Sequence, residues 1–376
     1  MSPSSPAKKP RSLGQIEFMR ALAVTGIFLF HLWSVIPAAG VENPFGPVLG
    51  VLLSQGWMGV ILFNIVTGFV LTLPFAGPSG RPVPGYLDFL RRRFLRICPN
   101  YYISLVFWTA VLVFTGHAGT KLLGSFVQHL IFVHTLNPAV FFDIVPAYWW
   151  LGLLAQFYLA YPLILKLYRR LGAKRATLWL CGGAWGLWLI LEILAKAYPD
   201  SVFALANYML YYNLPYRLPE FALGMYLISA WKDKEAGRPQ NPDGTPGLNY
   251  PVLRLWAWVV LAVLAAWGLI FGVPGLAALA THLYWVAVVL CGGIIMFLCP
   301  RLHRLGSTSM VTALAGASYS IYLMHQPILG YVDNWIGNGL APFPTFIFMA
   351  GVCGAASLLA AYILDRMVAK VNAWLG

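Results

Sequence analysis

Two residues early in the chain have the types and the spacing to do chemistry together. They are Arg20 and His31, in the apolar run EFMRALAVTGIFLFHLW (17–33). Eleven steps at about 100° per residue bring a helix back to within about 20° of its starting direction. At about 1.5 Å of rise per residue, the two side chains stand about 16 Å apart along one face. An arginine at the mouth of such a face holds an anion, and a histidine deeper along it handles a proton. Glu17, three residues before Arg20, pairs with it or orients it. The plain alternative is a snorkelling arginine at an interface plus a hydrogen-bonded packing histidine.

Five other stretches carry polar groups where few belong. In FLRRRFLRICP (89–99), Arg93 and Arg96 are three apart and share a helix face. Their forks suit phosphate, although membrane anchoring accounts for the same run. In GVILFNIVTGF (59–69), Asn64 and Thr67 are polar inside an apolar stretch, and Gly59 and Gly68 permit close helix approach. The run from Tyr148, Trp149 and Trp150 to Gln156, Tyr158 and Pro162 reads as an interfacial belt followed by cavity-lining groups. In LPYRLPEFALG (214–224), Arg217 and Glu220 are placed to pair; that pair is structural, with substrate contact as the other reading. In SYSIYLMHQP (318–327), Tyr319 and His325 lie toward the outer end of an apolar stretch. The five cysteines (98, 181, 291, 299 and 353) have no metal-ligand spacing, so no metal site is read.

These groups need elements to hold them, and composition says which. Of 376 residues 60% are hydrophobic and 10% charged, against about 25% charged in soluble domains. Mean hydropathy is +0.72. The pattern predicts an all-α membrane protein with about ten transmembrane helices in one bundle: 20–37, 56–76, 99–117, 147–166, 177–197, 207–230, 254–272, 280–298, 311–330 and 343–364. With both termini cytoplasmic, 22 of the 25 basic residues fall on inner segments. The exceptions are Lys121, Lys196 and the intramembrane Arg217. The net charge of +13 therefore reflects orientation and gives no reason to expect nucleic acid. Within segment 118–146 the apolar piece Leu122 to Val133 is too short and too polar to cross and reads as an outer interfacial or re-entrant helix. Segment 233–250 is the long soluble loop. The first apolar stretch follows Lys8, Lys9 and Arg11 and reads as an uncleaved span. The expected division is a cytoplasmic tail over 1–14, a transmembrane domain over 15–366 and a second cytoplasmic tail over 367–376.

Taken in order, the motifs resemble membrane acyltransferase family 3. Arg20 and His31 with ten residues between them match its signature, and Arg93-Phe-Leu-Arg96 with Pro99 matches its arginine-x-x-arginine motif. Residues 59–69, 148–162 and 318–327 resemble three further family segments, with Asn64 and Thr67 as variants. The resemblance runs from about residue 15 to 365. There is one departure: many members carry a glutamate pair before the position of Gln156, where this chain has Leu154 and Ala155.

The resemblance implies transfer of an acyl group, commonly acetyl, from cytoplasmic acetyl-CoA or another acyl-CoA to a hydroxyl of an envelope or extracellular saccharide or glycolipid. It implies that Arg20, Arg93 and Arg96 hold the phosphate-bearing part of the donor. His31 is then a general base or a transient acyl carrier. Glu17, Asn64, Thr67, Trp149, Gln156, Tyr158, Arg217, Glu220, Tyr319 and His325 support the site or line the acceptor path. The implied location is the plasma (inner) membrane, among lipid. No metal and no appended outer domain is expected. Oligomeric state is not readable. Two other classes fit a bundle with polar mid-depth residues: a transporter or flippase of a glycolipid or saccharide, and a non-catalytic scaffold. Against the first, the sequence has no inverted repeat and no run of intramembrane carboxylates.

Overall fold

The structure is a computed structural model. It describes residues 13–35, 46–76, 80–235, 283–336 and 342–375, with scattered positions between 255 and 266. Among the described residues, every regular element is helical. In chain order they are α1 (Gly14–Val35), α2 (Gly46–Ser54), α3 (Met58–Thr72), α4 (Tyr86–Phe114), α5 (Leu122–Leu130), α6 (Trp149–Leu171) and α7 (Ala173–Ala197). There follow α8 (Val202–Tyr211), α9 (Leu214–Glu235), α10 (Leu283–Phe297), α11 (His303–Gly306), α12 (Ser309–Ile336) and α13 (Pro342–Leu375).

Six described helical stretches are long and apolar enough to cross a membrane: Gly14–Val35, Leu52–Phe75, Tyr86–Phe114, Pro146–Leu171, Ala173–Ala197 and Phe343–Trp374. The chain is thus a multi-pass membrane protein. Fewer helices meet that standard than the ten expected, for physical reasons. Helix α9 carries the Arg217–Glu220 pair, α12 carries Ser, Tyr, His and Gln on its inner face, and α10 has 15 described residues. The expected span 254–272 lies largely outside the described residues, as do most of the 233–250 loop and the first twelve residues. The expected span 207–230 is two helices. Pro215 lacks the N–H that a continuous helix would require, and the chain turns at Tyr212 and Asn213.

Contacts between helices fix their relative directions. Helix α1 meets α12 at Arg20–Ser318 and again at His31–His325, so the two run parallel. Helix α4 meets α6 at Phe94–Tyr158 and at Ser104–Tyr148, so those run antiparallel. Helix α3 follows α6, with Asn64 on Trp150 and Leu71 on Tyr161. It opposes α1, where a Cβ on Gly59 would collide with the Ala23 carbonyl and one on Gly56 with the Gly26 carbonyl. Because α4 and α6 are antiparallel, segment 115–148 begins and ends on one side. Helix α5, at nine residues, spans about 14 Å and cannot cross about 30 Å of hydrocarbon.

The core sits between α1, α3, α4, α6, α9 and α12. Its largest fully buried side chains include Tyr101, Tyr148, Tyr161 and Tyr322. Each hydroxyl donates a hydrogen bond across the bundle, to His129 O, Ser104 Oγ, Leu71 O and Ala147 O respectively. Buried tyrosines therefore act as cross-pins, since an unpaired hydroxyl there would be costly. Phe132 takes a φ of +61°, held by packing against Tyr101 with ring centroids 4.9 Å apart. This tight turn closes the C-terminal end of α5.

Candidate active site

Helices α1, α3, α4, α6, α12 and α13 enclose a cavity of about 400 Å³, within the size range of small-molecule sites. Three guanidiniums line it: Arg20 from α1 and Arg93 and Arg96 from α4. Arg93 and Arg96, about one helical turn apart on α4, both line the cavity, Arg93 half-buried and Arg96 still exposed, whereas Arg91 and Arg92 are exposed and do not line it. Arg20 Nη1 lies 3.3 Å from Glu17 Oε2, and its Nη2 donates to Ser318 Oγ at 3.2 Å. Arg93 stands over the Phe89 ring at 5.4 Å. Its Nε is buried with no hydrogen-bond partner among the described residues. A buried donor of this kind needs an acceptor, and three arginines around one cavity favour an anion.

The other walls are polar and aromatic. Thr67, Tyr158, Tyr319, Trp150 and Tyr322 line the cavity, with Asn100, Ser318, Ser320 and Asp365. Tyr319 donates to the Ile97 carbonyl at 3.0 Å. Sequence reasoning missed Asn100, Ser318, Ser320, Tyr322 and Asp365. Asn100 directly follows Pro99 of the arginine run, and the serines flank Tyr319, so those three carried a local signal. Asp365 carried none beyond being a lone acid on the last helix.

His31 does not line this cavity. It stands four residues from the C-terminal end of α1, half-buried, where its Nδ1 lies 2.8 Å from His325 Nε2. His325 is buried, and its Nδ1 lies 2.9 Å from the Tyr322 carbonyl. A carbonyl only accepts, so Nδ1 of His325 carries the proton and its Nε2 has the lone pair. That lone pair accepts from His31 Nδ1–H. The hydrogen-bond network thereby assigns the unprotonated, basic atom of His31 to Nε2. Tyr322 joins the two places, since its ring faces the cavity and its carbonyl holds His325. Trp150 packs on Tyr322 with ring centroids 5.1 Å apart, forming the cavity's inner end.

Several expected site residues hold the walls from behind. Arg217 and Glu220 form a buried ion pair at 3.0 Å. Glu220 Oε2 accepts from Asn64 Nδ2 at 2.5 Å, and Asn64 Oδ1 accepts from Trp150 Nε1 at 2.8 Å. Asn64 therefore anchors the cavity wall and does not line it. Trp149 faces Arg217, whose guanidinium lies 5.4 Å from its ring. Gln156 is also outside the cavity. It donates to Asn213 and Thr135 and accepts from the Leu214 N–H, tying α6 to the break between α8 and α9. Among the described residues, no group of three or more His, Cys, Asp or Glu is placed to hold a metal ion.

Outside the spans, His129 and His134 stack with centroids 3.9 Å apart. Burial lowers His129 to about 4. Burial, and secondarily the neighbouring His129, lowers His134 to about 3. Both are neutral at pH 7.

The chain can be compared with known proteins at this point. O-acetyltransferase OatA of Staphylococcus aureus, from strains NCTC 8325 / PS 47, COL and MRSA252, is 22% identical over 373 residues. That match covers 90% of this chain and 54% of the relative, so the chain spans about half the length of the curated relatives it matches. No solved structure matches it. A family model described as an acyltransferase domain matches residues 13–366, from the start of α1 to the residue after Asp365. The arginine-lined cavity and the histidine pair thus lie inside a chain that belongs to membrane acyltransferase family 3.

Proposed function

We propose that this protein is a membrane O-acyltransferase that moves an acyl group, acetyl in the first instance, from cytoplasmic acyl-CoA to a hydroxyl of a saccharide or glycolipid. In this reading the chain crosses the plasma (inner) membrane ten times with both termini cytoplasmic. Residues 15–366 form the catalytic membrane domain. Helices α1, α4 and α12 then run outward, and the arginine-lined cavity opens to the cytoplasm. The observation that carries the reading is the shared α1–α12 seam, with Arg20 on Ser318 at one level and His31 on His325 further along. The name of the OatA relatives supports acetyl as the group transferred.

Arg20, Arg93 and Arg96 hold the donor's phosphates, and the cavity guides its arm toward Tyr322. His31 Nε2 takes the proton of the acceptor hydroxyl as that oxygen attacks the thioester carbonyl carbon. The tetrahedral adduct collapses, the carbon–sulfur bond breaks, and the His31 imidazolium returns the proton to the thiolate. His325 keeps its Nδ1–H on the Tyr322 carbonyl throughout, so its Nε2 remains the acceptor that steadies the His31 imidazolium. No glutamate is needed before Gln156, because the orienting partner is a second histidine.

The test is acetyl-CoA consumption and thiol release by purified protein with a glycan acceptor. His31→Ala is expected to lower turnover by about 10²–10⁴-fold with helicity unchanged. Normal turnover in the folded variant would remove His31 from the mechanism. Saccharide movement across vesicles with no acetyl-CoA consumed would instead identify a transporter.

A further inference from the structure

We propose that Asp365, with Ser320 and Asn100, forms the subsite for the amide-bearing arm of the acyl-CoA donor. This deepens the donor reading above and rests on it. Three helices build the cluster. Asp365 Oδ1 of α13 accepts from Asn100 Nδ2 of α4 at 2.8 Å and from Ser320 Oγ of α12 at 2.6 Å. Asn100 Nδ2 also lies 2.9 Å from Ser320 Oγ. Asn100 and Ser320 are buried, and all three residues line the same cavity as the arginines.

The arrangement is unusual for a carboxylate beside three guanidiniums. Asp365 forms no ion pair; the described pairs are Arg20–Glu17, Lys196–Glu192 and Arg217–Glu220. The adjacent Arg366 turns away to Tyr362. Two neutral donors hold one oxygen of Asp365, leaving Oδ2 and the Asn100 Oδ1 with no described donor. The cavity therefore has two chemistries. The arginine side attracts phosphate. The Asp365 side repels phosphate and accepts hydrogen bonds from N–H or O–H groups. A ligand that satisfies both has a phosphorylated head and a neutral arm bearing N–H donors. The pantetheine arm of coenzyme A, with two secondary amides and a hydroxyl, is of that class.

The experiment separates head from arm. KM is measured for acetyl-CoA and for acetyl-pantetheine, which lacks the nucleotide, and affinity is measured for adenosine 3′,5′-bisphosphate, which lacks the arm. Asp365→Ala is expected to raise KM about tenfold for both acetylated donors, while the bisphosphate binds as in the parent. Asp365→Asn replaces the free acceptor by an N–H₂ donor with little change of size, so it reports even if the alanine variant folds poorly. Unchanged KM for both donors in the folded Asn variant overturns the subsite. So does an equal loss of bisphosphate affinity, which would make Asp365 an arranger of the arginines. A parent protein that binds neither acetyl-CoA nor acetyl-pantetheine overturns the donor reading itself.

Discussion

The bundle treats its inward-facing arginines in two ways. Arg217 is enclosed: its Nε donates to the Tyr211 carbonyl at 2.8 Å and its Nη1 to Glu220 at 3.0 Å. The rings of Tyr211, Tyr284 and Trp149 lie 4.4, 5.1 and 5.4 Å from it. Arg20, Arg93 and Arg96 border an open cavity; among the described residues Arg20 alone of the three pairs with a carboxylate, Glu17, and Arg93 Nε has no hydrogen-bond partner. A guanidinium enclosed by a carboxylate, a carbonyl and three rings is part of the scaffold, whereas one at a cavity with an unpartnered donor is kept for a ligand. The same residue type, in the same membrane domain, thus serves structure in one place and recognition in the other.

Two sets of variants test that contrast, and a third measurement sets the membrane domain against the outer segment. The largest effect is expected from Arg217→Ala, which strands Glu220 as a buried unpaired charge. Breaking such a pair costs about 3–5 kcal/mol, so the midpoint of thermal unfolding should fall steeply, and activity should fall with the fold. The double variant Arg217→Ala/Glu220→Ala should recover part of that loss. An Arg217→Ala protein that is fully stable but weak in CoA binding would place Arg217 among the ligand arginines instead. Next comes Arg93→Ala. It removes a guanidinium with an unused donor, so stability should stay near the parent's while KM for acetyl-CoA rises about tenfold or more. Binding of adenosine 3′,5′-bisphosphate should weaken in parallel. A large drop in unfolding temperature would instead make Arg93 a scaffold residue.

The smallest effect concerns the stacked His129 and His134, which form no ion pair among the described residues, although Asp143 acts on His129 from a distance. Both sit below the ordinary histidine value, near 4 and near 3. Below about pH 6.5 an opened segment takes up protons that the closed one refuses. The closed 118–146 segment therefore loses stability as pH falls from 6.5 through 4 toward 3. Hydrogen-exchange protection in α5, taken relative to the intrinsic rate at each pH, should be lower at pH 5 than at pH 7. Equal protection at both values would show that the stack does not hold the segment.

How much of this was legible beforehand depends on the range of the interaction. The Arg93–Arg96 face and the Glu17–Arg20 and Arg217–Glu220 pairs are separated by one helical turn, so periodicity suffices to read them. The close approaches at Gly59 and Gly68 were legible because only glycine lets a backbone come that near; added Cβ atoms would strike the Ala23 and Phe221 carbonyls. Gln156 was misplaced. It lies two residues from both Leu154 and Tyr158, about 200° round α6 from the lining face, and the turn at Asn213 claims its amide. Asp365 was invisible because a lone acid just past the end of the expected span 343–364 has many exposed fates.

By itself the sequence determined that the chain lives in a membrane, that it is helical, and that Arg20 and His31 share a face. Composition and a 3.6-residue period are local or additive properties, and no tertiary contact is needed to express them. Only the tertiary structure decided that His31 finds His325 almost 300 residues later, which makes Nε2 its basic atom. Only it brought α4, α12 and α13 together to set a carboxylate and three arginines in the walls of one cavity. Those outcomes depend on which helices pack and at what register, and side-chain contacts across the bundle settle that after the helices have formed.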